Sequence, residues 1–585
     1  MSANQQLAAI FGQMADALDL LGENAFRVNA HRRVARTLED MAEDAVDLVQ
    51  RDPAALRAIP GFGDATVKKV AEFAEHGAVK EHAELVAQIP AGLFDVLQIP
   101  GLGPKRVRVL WQDGNVTDLA TLKAKLADGS LAGLPGMGAK TLQNIQESLE
   151  FMERSAGRVR LGRALPVAEA LVAMLAQVKG ATQVAYAGSL RRGRETIGDV
   201  DIVAAAADGA PLHQALRQAP GVTKVLASGE TKTSVRLESG LQVDLRTVHA
   251  DQYGAALLYF TGSKEHNIRL RERAQQRTLR LNEYGLFPDD GQPAPQERGV
   301  KAVAGRTEES IYQALDLWWV PPELREDSGE LEHHPPKDLV RVEDIRADLH
   351  THTKASDGTL SIQEMAEEAI RRGLKVLAIT DHSRSSAQAN GLSTERVREH
   401  AAEVRRVAAH YKDRLALLCG SEVDILADGS LDYPDDVLAE LDVVVASPHT
   451  SLKAAPEVAT ERLLKAVRHP LVHIIGHPTG RIINAREGLS PDIALLAREA
   501  KAHHTALEVN SNSARLDLRD AHVRVCVETG TLVAIDTDAH AAEDFDQLRY
   551  GVTTARRGWL GCAQCVNTWE TAALLKWLRS KRPGR

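Results

Sequence analysis

The 585-residue chain lacks several features that would assign it to a special class of protein. Its four cysteines are too few for the disulfide framework of a secreted domain, which agrees with a reducing compartment. Cys562 and Cys565 form a C-x-x-C pair, but no second pair or nearby histidine accompanies them, so they are interpreted as ordinary thiols. A run of about 18 apolar residues and a signal-peptide pattern are both missing, so we expect a cytoplasmic protein without a membrane partner.

An excess of positive charge is missing as well. The formal net charge of −9 argues weakly against nucleic acid as a partner, although a whole-chain value averages over all domains. The length predicts about four domains at roughly 150 residues each. With 44% hydrophobic and 26% charged residues, these domains should be globular. Local charge patterns therefore decide which partner is expected.

Three similar segments, at 59–70, 99–110 and 134–145, each place Pro-Gly-x-Gly between an apolar residue and a helical pattern. The glycines of these segments are Gly61, Gly63, Gly101, Gly103, Gly136 and Gly138. They permit a tight turn whose backbone N–H groups begin a helix and can bind a phosphate. A single copy could be a plain helix connector. Three copies resemble helix-hairpin-helix motifs and favour sequence-independent binding to the DNA backbone.

A pair of aspartates marks the next region. In GDVDIV (198–203), Asp199 and Asp201 lie two residues apart in an apolar strand, so both point to the same face. Two carboxylates this close need a cation between them, and Asp244 in a second strand offers a third oxygen ligand, which suits Mg²⁺. A lone D-x-D is usually a surface strand. Here the preceding GSLRRG segment supplies a phosphate cradle of Gly188, Ser189 and Arg192, which favours nucleotidyl transfer.

These motifs together resemble the family X DNA polymerases. GSLRRG (188–193), GDVDIV, SGETKTSV (228–235), VDLR (243–246), YFTGS (259–263) and NEYGLF (282–287) occur in that family's order across about 1–320. The resemblance implies two Mg²⁺ ions bound by Asp199, Asp201 and Asp244, and phosphate contacts from Ser189 and Arg192. It also implies that Tyr259, Phe260 and Gly262 line the sugar of the nucleotide, and that Asn267 and Arg271 contact the base and the template. Segment 264–280 carries six basic and two acidic residues, a local positive face.

Lys69 is a weaker candidate. It aligns with the lysine that forms a Schiff base with a 5'-deoxyribose phosphate in repair members of the family. Ala65 and His31 depart from the family pattern around it, so a bound 5'-phosphate is the alternative to lyase activity.

From about residue 345, short apolar strands alternate with helical segments. Seven such strands predict a parallel barrel, in which functional residues collect at the carboxyl ends of the strands. Nine good metal ligands would converge on one rim of such a barrel. The polar residues at the strand ends are His350, His352, Asp357, Asp381, His382, Glu422, His449, His477, Asn510, Asp538 and His540. One buried histidine would usually be an ordinary core residue, but this joint pattern predicts a site for several metal ions.

The order H-x-H…D…H…E…H…H…D-x-H resembles the polymerase and histidinol phosphatase (PHP) domain, a distorted seven-stranded barrel with up to three ions. The resemblance implies nine metal ligands: His350, His352, Asp357, His382, Glu422, His449, His477, Asp538 and His540. The mixed ligands suit Mn²⁺, Zn²⁺ or Fe²⁺ better than Mg²⁺ alone. The resemblance implies a 3'-5' exonuclease, with abasic-site endonuclease and 3'-phosphatase as further possibilities. Arg481 is a candidate to bind the substrate phosphate, although it could equally pair with an acid.

We therefore predict a multidomain α+β and α/β protein. The expected parts are an N-terminal helical, lyase-like DNA-binding domain (1–90), fingers (91–153), a nucleotidyltransferase palm (154–248), a thumb (249–320), a linker (321–344) and a PHP domain (345–585). His333 and His334 fall in the linker and are not expected to be ligands.

The expected function is gap filling in base excision repair, with 3'-end processing in the barrel. Gapped or nicked duplex DNA and deoxynucleoside triphosphates are the expected partners of a monomer associated with the bacterial nucleoid. Two alternatives remain: a small-molecule phosphoesterase with an idle polymerase part, and a DNA-binding scaffold.

Overall fold

The computed structural model describes residues 3–41, 44–59, 61–97, 99, 102–155, 157–292 and 294–581. The chain forms two compact units, Met1–Ala156 and Gly157–Arg585. None of the helices in these described ranges is both long and apolar enough to cross a membrane.

The first unit is helical. Its described elements are α1 (Ala3–Leu21), α2 (Ala25–Asp40), α3 (Ala45–Arg51), α4 (Pro53–Ala58), α5 (Asp64–His76), α6 (Lys80–Val86), α7 (Gly92–Leu97), α8 (Pro104–Gln112), α9 (Leu119–Ala127) and α10 (Ala139–Ser155). The apolar face of α1, with Leu7, Phe11 and Met14, is buried in one continuous core that also receives residues of α5 and α8. The unit is stabilised mainly by this burial of apolar surface.

Each Pro-Gly-x-Gly repeat leads into a helix, namely α5, α8 or α10. Gly61 and Gly136 have φ of +97° and +76°, a left-handed conformation that favours glycine. Gly63 and Gly103 cap α5 and α8 without a side-chain hydrogen bond, and a Cβ on either would contact no other atom. The backbone at these helix starts is therefore open to a ligand. Gly101 lies outside the described residues.

The second unit begins with a five-stranded sheet in the order β2-β4-β7-β6-β5. Its elements are β1 (Val159–Arg160), α11 (Leu161–Ala176), β2 (Ala181–Tyr186), α12 (Gly188–Arg191), β3 (Thr196–Ile197), β4 (Asp199–Ala206), α13 (Ala210–Arg217), β5 (Val222–Ser228), β6 (Lys232–Leu237) and β7 (Gln242–Val248). The central strands β4 and β7 run parallel, whereas the other neighbouring pairs are antiparallel. Val200, Ile202 and Val243 are completely buried and fix these two strands in the core.

The following segment packs on this sheet. It comprises α14 (Tyr253–Thr261), α15 (Lys264–Gln275), β8 (Leu279–Asn282), β9 (Gly285–Pro288) and α16 (Glu308–Ala314). Segment 321–344, expected as a linker, is folded. Arg325 is fully buried and makes two hydrogen bonds, of 2.7 and 3.1 Å, to the Glu308 carboxylate. Buried Glu330 accepts a 2.7 Å hydrogen bond from His266. The composition of this segment could not reveal its buried ion pairs, because their partners lie in α15 and α16.

The rest of the unit is a parallel barrel. Its strands are β10 (Ala347–Asp348), β11 (Val376–Ile379), β12 (Ala416–Asp424), β13 (Val443–Ser447), β14 (Ile474–Ile475), β15 (Ala506–Asn510) and β16 (Val533–Asp536). Its helices are α17 (Ile362–Arg371), α18 (Thr394–Tyr411), α19 (Asp435–Leu438), α20 (Pro456–Arg468), α21 (Ile493–Ala502), α22 (Asp520–Thr529), α23 (Leu548–Arg557) and α24 (Thr571–Ser580). A parallel bridge between Thr351 and Ala539 joins the chain after β10 to the chain after β16. The predicted fold class, including the seven-stranded barrel, is confirmed.

Alternate residues of each barrel strand enter different cores. Leu377 and Ile379 pack toward the surrounding helices, whereas Val376 and Ala378 join an inner cluster with Leu574 and Trp577 of the C-terminal segment. Hydrogen bonds from Trp577 Nε1 and Lys581 Nζ reach backbone oxygens just before β15. Helix α24 therefore covers the amino-terminal end of the barrel and leaves the carboxyl ends of the strands for the site.

Candidate active sites

The three predicted catalytic aspartates lie side by side on β4 and β7. The parallel register places Asp201 directly opposite Asp244. One oxygen from each of Asp199, Asp201 and Asp244 lies within 4.8 Å of the others. Asp199 is exposed and Asp244 is buried, so the trio begins at the surface and continues into the sheet.

The three carboxylates repel one another when they are charged. Burial, followed by repulsion from Asp199 and Asp244, raises the pKa of Asp201 to about 7. Burial also raises the pKa of Asp244, but hydrogen bonds from Ser234, Lys232 and Gln242 outweigh it and leave a lowered pKa. A divalent cation among these oxygens would relieve the repulsion, and an all-oxygen ligand set fits Mg²⁺.

A cleft of about 780 Å³ opens beside the aspartates. Its lining includes all eight predicted nucleotide-binding residues: Gly188, Ser189, Arg192, Tyr259, Phe260, Gly262, Asn267 and Arg271. Gly188 has a φ of +62°, and a Cβ there would collide with the Asp201 carboxylate. The first glycine of GSLRRG is therefore required by the close approach of the aspartate.

Basic groups surround this cleft. Arg158, Arg194 and Lys264 also line it, although the sequence pattern did not single them out. Arg192 donates hydrogen bonds to Glu326 (3.0 Å) and to the Thr261 carbonyl (2.6 Å). The contact with Glu326 could not be predicted from the sequence, because that residue lies in the segment expected as a linker.

The two aromatic residues predicted to line the nucleotide sugar, Tyr259 and Phe260, are in contact with each other. The rings of Tyr259 and Phe260 meet edge to face with centroids 5.1 Å apart, and the Arg246 guanidinium lies 5.0 Å from the Phe260 ring centroid. Asn267 donates a 2.7 Å hydrogen bond to the Tyr259 carbonyl. Asn267 therefore fixes the chain at the end of α14 as well as facing the cleft.

In the helical unit, Lys69 lies on α5, between the buried Val67 and Val70 in sequence. Its Nζ is 2.9 Å from Glu81 Oε2, and only 14% of the side chain is exposed. Glu81 also accepts a 2.9 Å hydrogen bond from Arg27. Glu23 lies 3.5 Å from Arg27 as well, so the two cations are balanced by two acids.

The nine predicted ligands of the barrel meet at the carboxyl ends of its strands. They form four overlapping groups, in each of which the ligand atoms lie within 4.8 Å of one another: His352, Asp357, His382 and His540; His350, Glu422 and His477; His350, His352 and Asp538; His382, Glu422 and His449. Shared members join the groups into one cluster, which can hold more than one ion. Within the described ranges, His333 and His334 belong to no such group.

The cluster contains buried polar atoms that lack a hydrogen-bond partner. They include His350 Nε2, both ring nitrogens of His352, His382 Nδ1, Glu422 Oε2 and His477 Nδ1. Such atoms are costly to bury unless a ligand satisfies them. A metal ion would do so, and mixed nitrogen and oxygen donors fit a transition metal.

The electrostatics divide the histidines of the cluster. For His382 and His449, burial lowers the pKa, but the charge of Glu422 and hydrogen bonds to carboxylates outweigh it and raise the pKa to about 11 and about 9. Burial, supported by His540 and His382, lowers the pKa of His352 to about 4, so its ring is neutral as a metal ligand must be. Asp538 and His477 have φ of +56° and +24°, which is unusual for residues other than glycine. Strained backbone of this kind often occurs at functional sites.

Several acids that sequence reasoning missed hold the ligands in place. Glu508 accepts a 2.6 Å hydrogen bond from His350 Nδ1 and a 2.5 Å bond from the backbone N–H of His477. Asp424 binds His449 Nδ1. Glu508 lies within β15 and Asp424 ends β12, so their place near strand ends was the available signal.

Two arginines follow the barrel strands near the cluster, Arg481, which was predicted, and Arg515. Arg481 is almost completely buried and forms a 2.7 Å salt bridge with Glu195, so the alternative of pairing with an acid is the one observed. Arg515 instead places its Nε 3.8 Å from Asp538 Oδ2 and is 21% exposed. Sequence spacing could not separate the two, because both lie in loops after barrel strands.

The fold and these sites define a class of enzyme with two phosphoester-processing centres, a nucleotidyltransferase and a metal-dependent phosphoesterase. Family models agree: a helix-hairpin-helix domain matches residues 2–79, a SAM-like helix-hairpin-helix tandem 94–150, a DNA polymerase beta thumb 256–326 and a PHP domain 348–512. The thumb and PHP matches and the ligand groups imply dependence on divalent metals.

The whole chain has a similar relative as well. It is 38% identical over 553 residues to the DNA polymerase/3'-5' exonuclease PolX of Bacillus subtilis (strain 168), which covers 94% of this chain and 95% of that protein. The chain belongs to this PolX family of family X DNA polymerases, as the sequence motifs predicted.

Other relatives match a shorter part of the chain. A probable phosphatase of Syntrophotalea carbinolica is 30% identical over 235 residues, 38% of this chain and 92% of that protein. A probable phosphatase of Citrobacter koseri is 32% identical over 207 residues, 33% of this chain and 78% of that protein.

Proposed function

We propose that the chain is a DNA polymerase that fills short gaps during base excision repair and processes 3' ends with a 3'-5' exonuclease in its barrel. One observation carries the polymerase half: the aspartate trio lies beside a cleft lined by all eight predicted nucleotide-binding residues. Family membership supports both halves, because the Bacillus subtilis relative is named for both activities.

In the polymerase site, the primer 3' oxygen would form a bond to the α-phosphorus of the nucleotide while the bond to pyrophosphate breaks. Asp199, Asp201 and Asp244 would hold Mg²⁺, which supplies positive charge for the attacking and leaving oxygens. Ser189 and Arg192 would bind the phosphates and so orient the α-phosphate for attack.

The remaining cleft residues would bind the rest of the nucleotide and the DNA. Tyr259, Phe260 and Gly262 would contact the sugar, where a bulky wall rejects a 2'-hydroxyl. Asn267 and Arg271 would contact the base and the template. The helix-hairpin-helix turns would bind DNA phosphates through backbone N–H groups, which requires no particular base sequence.

The barrel site would cleave a phosphoester at the 3' end. Its nine ligands would hold up to three ions, with Mn²⁺, Zn²⁺ or Fe²⁺ best suited, and these ions would activate water for attack on phosphorus. Arg515 faces the cluster and is the better candidate to bind the substrate phosphate. Arg481, which is paired with Glu195, would have a structural role instead.

A second candidate for the barrel is the removal of a 3'-terminal phosphate. The two relatives named as probable phosphatases match only about a third of the chain, a length close to that of the barrel, which supports this alternative. A duplex with a 3'-phosphate in a gap would distinguish it, because a phosphatase releases inorganic phosphate and an exonuclease releases nucleotides.

Lys69 supports binding of a 5'-phosphate better than lyase activity. Its ammonium is paired with Glu81, whereas Schiff-base formation needs a free amine. Reduction with borohydride in the presence of a 5'-deoxyribose phosphate end would trap a Schiff base. A trapped adduct that Lys69→Ala abolishes would establish lyase activity.

The decisive experiment uses a gapped duplex with a mismatched 3' end, given to the wild type and to Asp201→Asn and His352→Ala variants. We expect Asp201→Asn to lose extension alone and His352→Ala to lose trimming alone. No extension by the wild type with Mg²⁺ or Mn²⁺ would refute the polymerase proposal. If neither substitution changed any activity, the two sites would not be catalytic, as the DNA-binding scaffold alternative predicts. A monomeric state and a place at the nucleoid remain predictions.

A further inference from the structure

The barrel packs directly on the loop that would hold the nucleotide phosphates. We define the phosphate loop as residues 188–196. Within it, Gly193 has a φ of +66°, and a Cβ there would collide with the Thr553 methyl group on α23. Glu195 of the same loop is bound by Arg481 of the barrel. The polymerase site is therefore built partly against the nuclease domain.

Arg557, in the last turn of α23, links this loop to two acids outside it, Glu326 and Asp520. Its side chain is 4% exposed. Its Nη1 donates a 2.6 Å hydrogen bond to the main-chain carbonyl of Arg192 and a 3.0 Å bond to Glu326 Oε1. Its Nε and Nη2 lie 2.8 and 2.7 Å from Asp520 Oδ2, which fixes the guanidinium from the barrel side.

Glu326 is shared between the two arginines. The oxygen that binds Arg557 also accepts the 3.0 Å hydrogen bond from Arg192 Nε. Arg194 adds a third, more distant cation, 3.6 Å from Glu326 Oε2. Glu326 therefore pairs with Arg192, the side chain that we assign to the nucleotide phosphates. Arg557 competes with Arg192 for the same carboxylate oxygen.

We propose that Arg557 is a positioning residue for the polymerase site: the barrel, through Arg557, anchors the phosphate loop and weakens the hold of Glu326 on Arg192. This inference rests on the proposed polymerase function. Without Arg557, the carboxylate would have fewer cations to share and would bind Arg192 more tightly, and the loop would lose a charge-assisted hydrogen bond. Both effects would weaken binding of the incoming triphosphate.

The test is steady-state filling of a one-nucleotide gap by the full-length protein, with the deoxynucleoside triphosphate varied. For Arg557→Ala we expect the KM of the nucleotide to rise by about tenfold, the order that loss of a hydrogen bond to a charged group produces, with a smaller change in kcat. Arg557→Lys keeps the charge beside Glu326 and should recover part of the wild-type KM. Exonuclease activity should be retained, because Arg557 lies outside the metal cluster.

Arg556 provides a matched control on the same helix. It donates hydrogen bonds to Glu323 Oε1 (2.8 Å) and to the Val340 carbonyl (3.0 Å), both within segment 321–344. Arg556→Ala therefore removes a comparable contact with the barrel, and its nucleotide KM should stay at the wild-type value. An equal KM increase in both variants would overturn the proposal, since it would indicate a general loosening of the packing.

Glu326→Gln gives an independent test that does not require removal of Arg557. It removes the competing charge, so the nucleotide KM should fall below the wild-type value. In the double variant it should suppress the part of the Arg557→Ala effect that acts through Glu326, while the lost hydrogen bond to the Arg192 carbonyl remains. A KM that rises in Glu326→Gln, or an unchanged KM in Arg557→Ala, would refute the inference. If the wild type did not extend a primer, the proposed function itself would fail.

Discussion

The two candidate metal sites differ in ligand chemistry and in burial. The polymerase site offers three carboxylates in a trio that reaches the surface at Asp199, whereas the barrel site offers six histidines and three acids, most of them buried. A small, open, all-oxygen site suits an ion such as Mg²⁺, which keeps several waters and also binds substrate phosphates. A buried site rich in histidine suits transition-metal ions, which remain bound and stabilise the folded state.

Removal of metals should give the largest effect and should separate the sites. We expect a chelator to abolish both activities. Added Mg²⁺ should restore primer extension, while trimming should return only with Mn²⁺, Zn²⁺ or Fe²⁺. The stripped protein should also unfold at a lower temperature, because bound ions stabilise the native state. Restoration of trimming by Mg²⁺ alone would refute the proposed difference in metal preference between the two sites.

Asp201→Asn should lower primer extension by roughly a thousandfold, because it replaces a charged metal ligand by a neutral amide at the position where charge develops in phosphoryl transfer. The control is Asp251→Asn, a change at an exposed acid beyond β7. Single-turnover extension measures the effect. If both variants lost extension equally, the cause would be the changed net charge of the protein and not the changed metal site.

His352→Ala should lower trimming by at least about a hundredfold, since this ring belongs to two of the four ligand groups. Metal content per protein, measured by elemental analysis, should fall in parallel, and extension should be unchanged. His410→Ala changes an exposed histidine on α18 and serves as the control. A full complement of metal in His352→Ala would contradict this assignment.

Glu508→Gln should weaken metal binding at the barrel by about 10- to 100-fold, because Glu508 orients His350 without being a member of any ligand group. Excess metal should rescue this variant but not His352→Ala. Glu499→Gln is the matched control, because it removes an acid of α21 that pairs with Arg468 of α20. Failure of excess metal to rescue trimming would assign Glu508 a direct catalytic role.

Arg515→Ala should have the smallest effect, a rise of about tenfold in the KM of the DNA 3' end for trimming with little change in kcat. Arg481→Ala should leave this KM unchanged, because its side chain is paired with Glu195. The reverse outcome would restore Arg481 as the phosphate-binding residue. Trimming kinetics with varied DNA concentration measure both variants.

Local spacing predicted much of both sites. Asp199 and Asp201 share a face because strand residues alternate, and the barrel ligands meet because parallel strands end at the same edge. The same logic did not find Glu508, whose partner His350 lies on another strand. Segment 321–344 was predicted as a linker from its prolines and charges. That composition did not indicate its buried pairs, because Arg325 binds Glu308 of α16 and Glu330 binds His266 of α15.

The sequence by itself determined the fold class, the family and the residue types available at each strand end, since these depend on periodicity and short spacing. Only the tertiary structure decided which arginine faces the metal cluster and that Arg557 of the barrel binds the phosphate loop. The physical reason is that such contacts join residues from separate elements, and their distances are set by how the sheet, the thumb and the barrel pack in one unit.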